Sequence, residues 1–122
     1  MKIAIRYPCL LPSAANQRLH WAAKQRQCKS QRDMAMVETV RAIHGKTLVA
    51  PLTVYLTRGG SRLLDDDNLR SAFKSIRDGV ADALGYSNDA DKALTWVYVQ
   101  AKTKRGAEFI DIAIEDIAEA KP

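Results

Sequence analysis

The chain has 122 residues, 47% hydrophobic and 27% charged, with a formal net charge of +5. No apolar run approaches the roughly 18 residues that a membrane helix needs, and the length suits a single domain spanning the whole chain, 1–122. The basic balance, with a pI near 9.4, favours a polyanion over a polycation as partner, and nucleic acid leads among polyanions.

In KIAIRYP, Ile3 and Ile5 alternate with Lys2, Ala4 and Arg6 before Pro8, which predicts a short first strand. The start MKIAIRYPCLLPS is interrupted by Arg6 and Pro8 and has no small-residue cleavage pattern, so a cytoplasmic protein is expected. Residues 10–16 read as a loop in which Ser13 or Asn16 caps a helix running from about Gln17 to Ile43 and stopping at Gly45. Within it, KQRQCKSQRD has Cys28 as its one apolar residue and reads as solvated or facing charge; Met34, Val37, Val40 and Ile43 supply the packing face. Cys9 and Cys28 form no C-x-x-C pair and have no matching His cluster, so two reduced thiols are expected.

LTVYLTR after Pro51 predicts a second strand, and RGGSR a flexible basic loop. A second helix follows the acidic run, with Leu69, Phe73, Ile76, Val80 and Leu84 on one narrow buried stripe and Gly85 closing it. After the loop YSNDAD, ALTWVYVQA reads as a third strand, TKRG as a turn and EFIDIAIED as a fourth strand with Ile110, Ile112 and Ile114 on one face. The order β-α-β-α-β-β implies an α+β fold, a small mixed sheet with helices covering one face.

The run Asp65, Asp66, Asp67 has two readings. One aspartate caps the helix and favours its dipole, a contribution of about 0.5–2 kcal/mol, but three adjacent carboxylates repel and call for Arg58, Arg62, Arg70 or a bound cation. If the chain is extended at Asp65, then Asp65 and Asp67 share a side, where two carboxylates can hold Mg²⁺. An EF-hand loop is excluded, because Arg70 and Ile76 stand where it needs Gly and Glu. Asp67, Ser71, Lys74 and Asp78 step by four, three and four along one polar stripe. Asn88, Asp89 and Asp91 form a second acidic group that also suits a plain turn. His20 and His44 read as a surface or packed histidine and a helix-end histidine, and Trp21 and Trp96 as core or dimer contacts.

DDDN, Lys74 with Asp78, GVADALG and NDAD together resemble the RusA family of Holliday-junction endonucleases, common in phages and prophages, whose signature has the form D-x-D-N-x-x-K-x-x-x-D. The likeness is close over about 30 residues, and PSAANQRLHW from Pro12 to Trp21 is similar to the family's N-terminal pattern. The resemblance implies a Mg²⁺-dependent homodimer that resolves four-way DNA junctions by paired nicks in recombination and repair. Residue by residue it implies Asp65, Asp67 and Asp89 as metal ligands, with Asp91 the alternative third acid, and a lysine essential for cleavage. The family's lysine position is occupied here by Ser71; Lys74 restores the spacing to Asp78 and takes the catalytic role. Lys24, Arg26, Lys29, Arg32, Arg62, Arg70, Lys102, Lys104 and Arg105 are the candidate DNA-backbone contacts. The alternatives are a non-catalytic phage DNA-binding protein of the same fold and a metal-dependent phosphohydrolase acting on small phosphate esters.

Overall fold

Alternation of apolar residues in four stretches produces four strands, and the computed structural model describes residues 1–13 and 20–116. The strands are β1 (Lys2–Pro8), β2 (Leu52–Gly60), β3 (Leu94–Lys102) and β4 (Phe109–Asp116); the helices are α1 (Trp21–Ile43), α2 (Asp66–Ala72) and α3 (Lys74–Leu84). They form one mixed sheet in the order β1-β4-β2-β3. β4 runs antiparallel to both β1 and β2, whereas β3 runs parallel to β2. A parallel neighbour requires a long crossover, and α2 with α3 forms it.

The strand periods place Ile3 and Tyr7, Leu52, Val54 and Leu56, and Ile110, Ile112 and Ile114 among the buried residues. Tyr7 and the residues of β2 and β4 join one cluster with Ala35 of α1, Leu69 and Ala72 of α2, Phe73, and Ile76, Val80 and Ala81 of α3. The predicted mixed sheet and its helical cover are therefore present. The segment 103–106 is not a hairpin turn, because β2 lies between β3 and β4; the connection passes the end of β2, where the Thr103 amide donates to the Gly60 carbonyl (2.9 Å).

Three further expectations need correction. The stretch Arg58–Gly60 is the end of β2 and not a flexible loop. Arg58 is buried, its Nε donating to the Leu11 carbonyl (2.7 Å) and its Nη1 to the Arg62 carbonyl (2.7 Å). Burial lowers its pKa from the ordinary arginine value, and backbone carbonyls take the place of a carboxylate partner. The second predicted helix is two helices that meet at Phe73, a fully buried residue with φ −84° and ψ −1°. Gly85 does close the second of these, in the left-handed conformation at φ 85°.

The third correction concerns α1. Its packing face is Ala35 and Thr39, both fully buried, while Met34, Val37 and Val40 are 48%, 40% and 46% exposed; of the expected face, Ile43 packs against the core. Large apolar residues marked the wrong side because α1 approaches α3 too closely for them. A Cβ added at Gly79 would collide with the Arg32 carbonyl oxygen and would lie 3.0 Å from the Ala35 Cβ. The helix begins at Trp21, with His20 as N-cap accepting from the Ala22 amide through Nδ1 (3.2 Å) and His44 as C-cap. Trp21 is 73% exposed and is not a core residue. The start expected at Gln17 and the cap expected at Asn16 lie outside the described residues.

The close contact sets a test: Gly79→Ala must push α1 away from α3 and should destabilise the fold by about 1–3 kcal/mol. Urea denaturation measures it; an unchanged midpoint would contradict this packing.

Candidate active site at the junction of α2 and α3

The acidic run sits where the chain leaves the sheet, and two side chains pin that exit. Arg58 holds the Arg62 carbonyl, and Gln100 of β3 clasps Leu64, accepting from its amide (2.8 Å) and donating to its carbonyl (2.8 Å). Asp65 then caps α2: Oδ1 accepts from the Asn68 amide (2.9 Å) and Oδ2 from the Asn68 side-chain amide (3.1 Å). The backbone is extended at Asp65, but Asp66 and Asp67 already lie in the first helical turn. Strand alternation therefore does not relate Asp65 to Asp67. Asp66 pairs with Arg70 at 3.5 Å, and Asp67 is exposed with no ion-pair partner among the described residues.

Seven residues beyond Asp67, the structure gathers charges of both signs. Lys74, the first residue of α3, donates to Asp78 (3.1 Å) and to both oxygens of Asp89 (3.0 and 2.9 Å). Arg77 donates through Nε to Asp89 Oδ2 (3.0 Å), and through Nη1 to the Arg70 carbonyl at the end of α2 (3.0 Å) and the Tyr98 hydroxyl of β3 (2.6 Å). Trp96 completes the frame by donating from Nε1 to the Asp89 carbonyl (2.7 Å). The Asp89 side chain is only 10% exposed and that of Arg77 17%, against 54% for Lys74.

A buried carboxylate would ordinarily be driven toward its neutral form. Burial does raise the Asp89 pKa, but the hydrogen bonds from Lys74 and Arg77 outweigh it and leave the group below the ordinary 3.8. The Lys74 pKa is raised, mainly by its hydrogen bond to Asp89. Both shifts favour the charged pair.

Of the proposed site residues, Lys74 and Asp89 meet directly. Among the described residues no group of three or more His, Cys, Asp or Glu assembles to hold a metal, so Asp65, Asp67 and Asp89 do not form one cluster. Asp91 accepts from the Ala93 amide (2.9 Å) and Asn88 from the Ala90 amide (2.8 Å), both as turn formers. Asp65 and Asp67 are both carboxylates at the head of α2, the donor type that a hard cation completed by water and phosphate oxygens takes; Asp65 would exchange its contact with the Asn68 side-chain amide (3.1 Å) for the ion. Asp89 in this arrangement does not fit, since its oxygens already receive Lys74 and Arg77.

The basic residues divide in the same way. Lys29 pairs with Asp33 (2.8 Å), Arg32 with Asp82 through two hydrogen bonds (2.7 and 3.0 Å), and Arg70 lies over the Tyr98 ring (5.2 Å). Lys24, Arg26, Arg62, Lys102, Lys104 and Arg105 are exposed without an ion-pair partner among the described residues. Arg77 and Tyr98 escaped the sequence reading. The available signals were an arginine three residues beyond Lys74 and the alternation that turns Tyr98 to the same side of β3 as Trp96 and Gln100.

No family model matches the chain, and no curated protein matches it.

The charge cluster predicts its own pH dependence. Arg77→Met removes hydrogen bonds to a carboxylate, a carbonyl and a hydroxyl and should cost about 2–3 kcal/mol in urea denaturation. Because the Asp89 pKa is depressed, its contribution is present above 3.8 and is lost as pH falls through the lower folded-state value. The stability gap between the wild type and Asp89→Asn should therefore narrow in acid; a gap constant from pH 7 to pH 2 would contradict the pairing.

Proposed function

We propose that this protein is a Mg²⁺-dependent, structure-selective DNA endonuclease that acts as a homodimer on four-way junctions, introducing paired phosphodiester nicks. The observation that carries the reading is the meeting of Lys74 with Asp89 at 2.9 Å across a sequence separation of 15. It joins the lysine and the distal acid of the RusA-like pattern, with the lysine seven residues beyond Asp67. The net charge of +5 suits a polyanionic substrate.

Asp65 and Asp67 are the residues that would hold a cation. Such a cation polarises a phosphoryl oxygen and makes bound water a stronger nucleophile at neutral pH. Lys74, half exposed and held by Asp78 and Asp89, provides positive charge for the oxygen that becomes more negative as the phosphodiester is attacked. Asp78 and Asp89 hold that ammonium, and Arg77 anchors Asp89 in turn. The exposed residues Lys24, Arg26, Arg62, Lys102, Lys104 and Arg105 contribute sequence-independent phosphate contacts; Lys29, Arg32 and Arg70 would first have to exchange a carboxylate for a phosphate. Two nicks related by the junction's symmetry call for two sites related by a two-fold axis.

The engagement of Asp89 by two cations favours one competing reading, a non-catalytic DNA-binding protein in which Lys74 serves structure alone. Two variants separate them. Asp67→Asn should abolish Mg²⁺-dependent cleavage of a labelled junction while junction binding persists or tightens. Lys74→Met should lower cleavage by about two orders of magnitude or more with little change in junction affinity, as expected of an interaction felt mainly in the transition state. Full cleavage by Asp67→Asn contradicts the cation reading, and junction binding without cleavage by the wild type would give the DNA-binding reading the lead.

A further inference from the structure

The two edges of the sheet differ. β1, at one edge, carries Lys2, Arg6 and Pro8, the charges and proline that keep edge strands from pairing with other chains. β3, at the other, pairs with β2 alone in an unbroken one-to-one register from Leu94 to Lys102. It contains no proline, no bulge and no charged residue before Lys102, over nine residues or about 30 Å of edge. In a chain with 27% charged residues, such an edge is a template for strand addition.

The adjoining outer face has the same character. Thr53, Tyr55 and Thr57 of β2 stand beside Thr95, Val97 and Val99 of β3, with Val99 42% exposed. These positions are themselves uncharged, and charge begins at their far border, where Lys2 reaches the Tyr55 ring (5.3 Å) and Glu115 and Asp111 of β4 stand beside Thr53 and Thr57.

We infer that the β3 edge pairs antiparallel with β3 of a second copy, joining two four-stranded sheets into one of eight strands. Antiparallel pairing centred on Tyr98 sets residue 97 opposite residue 99 of the second copy, and residue 95 opposite residue 101. Residues directly opposite share a face, so the uncharged strips of β2 and β3 become continuous and the helices of both copies lie on the same side. Val97 then meets Val99 twice, a favourable β-branched pair. The axis of such a pair is a closed two-fold, so assembly stops at the dimer. This inference rests on the homodimeric reading above and assigns its interface.

The test uses side chains that touch neither the charge cluster nor the core. Sedimentation should give the wild type a mass twice 13.6 kDa. The double variant Val97→Lys with Val99→Lys places like charges opposite each other and should raise the dimer dissociation constant by tenfold or more, on the order expected for two unfavourable cross-strand pairs. Val97→Lys with Val99→Glu places lysine opposite glutamate at both positions and should restore the dimer. Amide exchange of wild-type β3 should also slow with increasing protein concentration, which keeps the test decisive if a variant folds poorly. A dimer that survives the two lysines, equal loss in both double variants, or concentration-independent exchange overturns the edge pairing and leaves a homodimer through another surface. A monomeric wild type overturns the homodimer itself.

Discussion

Asp89 is a nearly buried carboxylate whose charge Lys74 and Arg77 compensate, and their hydrogen bonds more than offset the cost of burial. That single requirement for compensation organises the candidate-site end of the molecule. Arg77 satisfies it while also holding the last turn of α2 and the Tyr98 hydroxyl, so two helices and an inner-facing tyrosine of β3 converge on one guanidinium. Its planar fork makes this possible, since a lysine presents its donors from a single point. Breaking a buried pair by removing one partner leaves a charge without compensation, which is why such an arrangement resists piecemeal change.

The same requirement gives Lys74 its place. An exposed lysine on a helix ordinarily samples many rotamers; here Asp78 and Asp89 draw its ammonium to one side of α3. The acidic head of α2 is positioned independently, through the Arg58 and Gln100 clasps on residues 62 and 64. The acidic head of α2 and an oriented lysine, separately positioned, thus lie on either side of the break at Phe73. Transition-state stabilisation of a phosphodiester benefits from charges fixed before the reaction begins.

Much of the fold was legible because alternation and three-to-four spacing report burial directly. The strand at residues 109–116 and the stripe Leu69, Phe73, Ile76 and Val80 are such cases. The face of α1 was not legible: bulk and hydrophobicity identify a packing face by default, and close approach at Gly79 selects Ala35 and Thr39 instead. Arg58 and its glycines read as a loop because nothing local reveals that backbone carbonyls will satisfy a buried guanidinium. The residue types of the candidate site could be singled out from their spacing, yet the closure of Lys74 on Asp89 depends on where the turn after α3 falls. The role of Arg77 depends on β3 lying beneath it, a relation that no sequence period encodes.

The central claim is that these residues serve phosphodiester cleavage in branched DNA, and incubation of the wild type with three labelled substrates tests it most directly. A fixed four-way junction, a linear duplex of the same sequence and a chromogenic phosphate ester would be compared with Mg²⁺ and with a chelator. The account predicts paired nicks in the junction with Mg²⁺, much slower cleavage of the duplex, no turnover of the ester and no cleavage with the chelator. Ester turnover without junction cleavage, or a junction left intact under every condition, would contradict it.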